Sequence, residues 1–131
     1  MKDSMCNDFQ QTVEDYLVRH QSILDILSKT QETTARINRA VTKSVTQCGC
    51  MEIQGKKNVM QEDASLADMK SLLSTQLEGN LCEHCKDVVI QEIGKNLFYI
   101  TALCNALGLS LEEVLDQEHK KIKTLRYFNL T

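Results

Sequence analysis

Proline is absent from this sequence of 131 residues, and glycine occurs only five times. With the usual breakers so scarce, long helices are favoured. Aromatic residues make up 5% of the chain, and alternating runs of Val, Ile, Thr and Tyr are missing, which leaves little material for a sheet. No apolar run approaches the roughly 18 residues that a membrane-spanning helix needs, so no membrane role is expected. The opening "MKDSMCNDFQQ" lacks the apolar core of a secretory signal, and a cytoplasmic protein is the expectation. The formal net charge of −3 suits a phosphate-backbone binder poorly, and nucleic acid is not an expected partner.

What is present fits one soluble domain over residues 1–131. The hydrophobic share is 42% and the charged share 25%, ordinary values for a chain large enough to build a core. The economical architecture is all-α, an antiparallel helical bundle with short connections.

Apolar residues Phe9, Val13, Tyr16, Leu17, Ile23, Leu24 and Leu27 fall at helical spacing, interrupted by His20, and the pattern resumes from Ala35 to Val45. Residues 7–47 are therefore read as a helical region in two segments, with the polar "SKTQETT" at 28–34 as the bend. Gly49 is placed to close it in the left-handed conformation. A loop is expected over 48–64. Ser65 and Asp68 then open a short helix over 65–77, with Leu66, Met69, Leu72, Leu73 and Leu77 on its buried side.

The longest apolar periodicity comes last, in a helix pair over 82–125. Its first member carries Val88, Val89, Ile93, Leu97, Ile100, Leu103, Cys104 and Leu107, and Gly108 ends it. "SLEE" at 110–113 has the form of a capping box, in which Ser110 and Glu113 cap each other's amides. Asp116 and Lys120 stand one turn apart as a weak ion pair. Lys120, Lys121, Lys123 and Arg126 gather in the last turns, where cations suit the helix dipole. The tail "RYFNLT" is expected to fold back or to meet a partner chain.

Six cysteines in a chain of this kind point to a reducing compartment and to metal or redox chemistry. Four fall in close pairs, "CGC" at Cys48 and Cys50 and "CEHC" at Cys82 and Cys85. Four thiolates in two pairs can close a tetrahedral zinc site. Cys82 and Cys85 lie at i and i+3 at a helix start, which aims both sulfurs one way and favours the thiolate. Gly49 gives the other pair freedom to turn. A structural zinc is expected, with free thiols and a redox pair at Cys82 and Cys85 as the competing readings. His84 is expected to be exposed, Cys104 to be a small core residue, and Cys6 to lie in a frayed terminus.

Residues 92–122, "EIGKNLFYITALCNALGLSLEEVLDQEHKKI", resemble the third and fourth helices of the MazG-like all-α nucleoside triphosphate pyrophosphohydrolases. The run "NLFYITALCNALGLSLEEVL" carries the likeness, turn included, and "SKTQETTARINRAV" matches that family's second helix much more loosely. The resemblance implies a MazG-like helical bundle that assembles into dimers or larger oligomers. It also implies a magnesium site of four acids, two on each of two facing helices, because magnesium takes hard oxygen ligands and bridges substrate phosphates.

Carried onto this chain, that quartet becomes Thr33, Arg36, Glu92 and Lys95, of which only Glu92 is an acid. At an effective dielectric near 20, unit charges about 4 Å apart interact by roughly 4 kcal/mol. Lys95 in place of an acid swaps one attraction for one repulsion and therefore opposes magnesium by several kcal/mol. The expected protein is non-catalytic, with Glu92 in an ion pair with Lys95 or Arg36, or with Arg36, Glu92, Lys95 and Lys121 around a small anion. The rival expectation is a working magnesium-dependent pyrophosphohydrolase with a relocated acidic set of Glu32, Asp87 and Glu92. A nucleic-acid-associated regulator is the third possibility.

Overall fold

The computed structural model describes residues 4–59 and 61–126. Among them are five α-helices, one π-helical turn and a two-stranded antiparallel sheet of three residues per strand, so the fold is all-α. The order is α1 (Met5–Tyr16), α2 (Ile23–Lys43), the π turn (Ser44–Cys48), β1 (Met51–Ile53), α3 (Leu66–Leu72), β2 (Leu77–Gly79), α4 (Glu83–Leu107) and α5 (Leu111–Leu125). No single helix among the described residues is long and apolar enough to cross a membrane.

Each helix starts where a side chain takes up an orphan amide. Ser4 Oγ accepts the Asn7 amide at 3.1 Å and Ser22 Oγ accepts that of Asp25 at 3.1 Å. The N-terminal helical region does divide in two, but between Tyr16 and Ile23 instead of at "SKTQETT". His20 takes a left-handed φ of 59° there, and Ser22 restarts the helix. The threonine run stays inside α2 because its hydroxyls bond back to the helix: Thr30, Thr33 and Thr34 donate to the carbonyls of Ile26, Lys29 and Thr30 at 2.8–2.9 Å. Asn96 of α4 then reaches across to the Thr30 carbonyl and to the Thr33 hydroxyl, at 3.1 and 3.0 Å.

α2 and α4 pack antiparallel along most of their length, since Ile26 meets Ala102 at one end and Asn96 meets Thr33 nearer the other. The apolar core sits at the first of these ends. Val13, Ile26 and Ala102 are fully buried, and Phe9, Leu17, Phe98 and Leu103 surround them. Gln10 of α1 secures the same end through polar contacts. Its amide nitrogen donates to Asn105 Oδ1 at 2.8 Å and to the Leu109 carbonyl at 2.7 Å, and its amide oxygen accepts the Leu111 amide at 2.9 Å. Cys6 belongs to α1, not to a frayed end.

Two helices bury less than their patterns promise. α3 stops at Leu72, has no buried residue, and leaves Leu66, Leu72, Leu73 and Leu77 exposed. On α4, Val89 and Cys104 are buried as expected, yet Ile93, Leu97 and Leu107 face outward. The capping box at Ser65 and Asp68 is complete. At Ser110 only half forms: its hydroxyl accepts the Glu113 amide at 3.2 Å, while the Glu113 carboxylate takes a bond from Gln117. Asp116 and Lys120 pair at 2.9 Å. Most of the tail "RYFNLT" lies outside the described residues.

Candidate metal centre

The end of the α2–α4 pair opposite the apolar core carries the four cysteines. α2 runs into the π turn, closed by the Gly49 amide on the Ser44 carbonyl at 3.0 Å. The turn ends at Cys48, whose sulfur meets that of Cys82 at the start of α4, and Gly49 at φ 80° redirects the chain into Cys50. Ser44 is fully buried beneath, and its carbonyl also receives the Cys50 thiol at 3.7 Å.

A pairing that the sequence pattern did not reveal completes the centre. Within the expected 48–64 loop, Met51–Ile53 forms β1 and pairs with β2, in the register Met51 with Gly79, Glu52 with Glu78 and Ile53 with Leu77. This ladder brings Cys50 and the start of α4 to the same end of the hairpin. Gly79 is required in it. Its φ is 92°, and a Cβ there would collide with the Cys50 carbonyl oxygen. Three-residue strands carry too little alternation to be read in advance, and "EGN" was legible only as a helix stop.

One ligand atom from each of Cys48, Cys50, Cys82 and Cys85 lies within 4.8 Å of all the others. The Sγ atoms of Cys48 and Cys82 are 3.8 Å apart. A tetrahedral ion with Zn–S bonds of about 2.3 Å places its sulfurs about 3.8 Å apart. The Cys48–Cys82 separation already matches such an edge, and the other sulfurs lie within about an ångström of it. Among the described residues it is the only grouping of three or more His, Cys, Asp or Glu side chains placed to hold a metal.

The electrostatics favour a cation. Cys82 caps α4, and its sulfur accepts the Cys85 amide at 3.4 Å. That amide, with the Cys85 thiol, pulls Cys82 down to about 7. Cys85 is pushed up to about 12, because its thiol donates to Cys82 and because burial disfavours a second negative charge. Cys48 is raised as well: the Cys50 amide and the Cys85 thiol lower it, but the Cys50 and Cys82 thiols and burial outweigh them. Four sulfurs this close do not all ionise unaided, and a divalent ion at their centre removes the repulsion. His84, next to this set, is exposed, and Cys104 is buried in α4.

The positions carried over from the resemblance divide. A groove of about 620 Å³ between α2 and α4 is lined by Lys29, Glu32, Thr33, Arg36, Gln91, Gly94, Lys95, Phe98 and Tyr99. It unites Arg36 with Lys95 and adds Lys29, which the sequence did not single out. Lys121 is not among its lining residues: it lies on α5 and pairs with Glu118 at 2.9 Å. Arg36 contacts Glu32, at 3.2 Å, in place of Glu92. Lys29 also holds Glu32, at 3.1 Å, and these two cations, Lys29 foremost, lower the Glu32 pKa.

Glu92 turns from the groove toward the helix interface. One of its oxygens lies 3.9 Å from Lys95 Nζ, and the other is buried without a partner. Asp87 accepts from Gln91 at 3.2 Å and lines a separate recess beside Glu83 and His84. Glu32, Asp87 and Glu92 are not among the side chains grouped closely enough to share one metal ion. Comparisons of the chain with protein-family models, with curated proteins and with solved structures find no match.

Proposed function

We propose that this chain is a non-catalytic MazG-like protein, in which a structural zinc ion held by Cys48, Cys50, Cys82 and Cys85 clips the end of α2 to the start of α4. The convergence of four sulfurs carries the proposal. All four tetrahedral positions are then filled by protein, which leaves no place for a metal-bound water and gives the ion a structural role. Six free thiols suit a reducing compartment such as the cytoplasm. The groove between α2 and α4 receives a small anionic ligand such as a nucleotide. Lys29, Arg36 and Lys95 meet the phosphates there, and Tyr99 and Phe98 offer an apolar wall.

Support for the loss of hydrolysis comes from the same groove. Glu32 is held there between two cations, and Lys95, 3.9 Å from Glu92, adds a further positive charge that opposes magnesium. Elemental analysis of untagged protein tests the zinc clip, with one zinc per chain expected and none after Cys85→Ser. A metal-free chain that is fully folded would overturn it. An assay with nucleoside triphosphates and magnesium or manganese tests the second element. Pyrophosphate release that disappears in Glu92→Ala would replace the non-catalytic proposal with the pyrophosphohydrolase.

A further inference from the structure

The four sulfurs of the metal centre are not equivalent toward solvent. Cys48 is exposed, Cys50 and Cys82 are half-buried, and Cys85 is buried. The Cys50 thiol is directed back at the Ser44 carbonyl, 3.7 Å away. Cys48 and Cys82 face one another, with their Sγ atoms 3.8 Å apart. Both stand at element ends: Cys48 closes the π turn just before Gly49, and Cys82 is the cap residue ahead of Glu83. Bringing the two sulfurs to bonding distance takes a movement of about 2 Å, which side-chain rotation and a small shift of those ends supply.

We infer that Cys48 and Cys82 are an oxidation site, at which a peroxide replaces the metal clip by a disulfide and releases the zinc. The release of metal rests on the zinc clip proposed above, whereas the linkage rests on the sulfur geometry alone. Exposure makes Cys48 the sulfur that peroxide reaches first, and a second cysteine in contact is what resolves a sulfenic acid. Coordination keeps both sulfurs as thiolates, the nucleophilic form. The Cys48 thiolate attacks one peroxide oxygen, the O–O bond breaks, and hydroxide leaves as the sulfur becomes a sulfenic acid. The Cys82 thiolate then attacks that sulfur, the S–O bond breaks, and a second hydroxide leaves as the disulfide forms. Two protons from solvent convert the hydroxides to water. The disulfide carries no charge to hold a divalent ion, and Cys50 and Cys85 alone leave the tetrahedron half empty. Excess thiol reverses the change by exchange, and is itself oxidised to a disulfide.

The choice of pair decides the consequence. Cys48 and Cys82 are 34 positions apart and belong to the two elements that zinc ties. Their disulfide therefore keeps the end of α2 on the start of α4 after the metal has gone. A bond between Cys82 and Cys85 would close a single helical turn, and one between Cys48 and Cys50 a tight loop around Gly49. Neither crosses from α2 to α4. The other cysteines do not compete. Cys104 is in the last turn of α4, about 28 Å along the helix from Cys85, and Cys6 is on α1, which meets that far end.

Treating the full chain with hydrogen peroxide tests the site. The zinc content of the reduced protein is measured first, so that a chain without zinc counts against the clip while the linkage is still read. Peroxide is expected to release one zinc per disulfide formed, followed with a chromogenic chelator and by thiol counting. Dithiothreitol with added zinc should restore the starting state. Fragmentation mass spectrometry of the digested, oxidised protein should join Cys48 to Cys82. Amide exchange in the first turns of α4 should stay slow in the oxidised, metal-free protein. It should accelerate at least about 10-fold when chelation strips the metal from the reduced protein. A Cys82–Cys85 bond, a crosslink between chains, sulfinic acid without a disulfide, or thiols that outlast a large excess of peroxide would each overturn the inference. So would exchange that accelerates as much after oxidation as after chelation.

Discussion

The two ends of the α2–α4 pair are held together by different physics. Around Val13, Ile26 and Ala102 the helices meet through buried side chains, reinforced by the three hydrogen bonds of Gln10. Around Ser44 and Cys85 little apolar surface is buried, and Met51 and Val89 are the main contributors beside the cysteines themselves. A small core covers one end, and four thiols stand where the core would otherwise continue. Coordination can replace burial because each metal–sulfur bond fixes a strand or helix end directly, without the area that hydrophobic stabilisation needs.

Stripping the metal, or replacing Cys85 by Ser, should break this contrast most severely. Structural zinc contributes on the order of 10 kcal/mol to comparable sites at neutral pH. Amide hydrogen exchange should then accelerate through the π turn, β1, β2 and the first turns of α4. Protection around Val13 and Ala102 should survive, and uniform loss at both ends would show that the clip and the core are not separable units.

Ile26→Ala attacks the other end. With the side chain fully buried, the cost should be about 2–5 kcal/mol by denaturant titration, with zinc content unchanged. A variant that loses its zinc would mean that the core positions the cysteines.

Gly79→Ala sharpens the comparison within the clip. A Cβ there meets the Cys50 carbonyl, and φ is 92°, so a penalty of about 1–3 kcal/mol is expected together with weaker metal binding. Zinc competition against a chromogenic chelator measures it. Unaltered affinity would show that the β1–β2 pairing is dispensable to the site. Gln10→Ala is expected to be milder, about 1–2 kcal/mol, from the loss of bonds that leave the Leu111 amide and Leu109 carbonyl to water.

The smallest effect is on pH dependence in metal-free protein. The folded state holds Cys82 at about 7 against an ordinary 9.0, so between these values the unfolded chain binds the extra proton and stability rises with pH. Cys85 works in the opposite direction, from 9.0 up to about 12, and stability falls as pH climbs through that window. Melting temperatures across pH 6 to 11, roughly the span of these shifts, should pass through a maximum near 9. Cys82→Ser should remove the rising limb.

Much of the local structure was legible from residues close together in the chain. Ser65 with Asp68, Ser110 with Glu113, and Gly49 and Gly108 at helix ends mark their elements because capping acts within three or four positions. The break before α2 was misplaced for a local reason too. "SKTQETT" is polar, but its hydroxyls satisfy themselves on the helix, while Ser22, three residues before Asp25, was the working start signal. Apolar periodicity on α3 and α4 identified helices, yet it could not say which flank would be covered. Ile93, Leu97 and Leu107 keep perfect spacing and still face outward.

Helical class, helix ends and the spacing of the two cysteine pairs were thus settled by neighbours along the chain, through backbone propensity and capping. The meeting of those pairs was not. It depends on Met51–Ile53 finding Leu77–Gly79, a pairing set by docking. The same holds for the groove, which took Lys29, Arg36 and Lys95 but left Lys121 on a projecting helix. Residues distant in sequence come together only when whole elements pack, and packing is driven by the summed burial of many side chains, none of which identifies its neighbour alone.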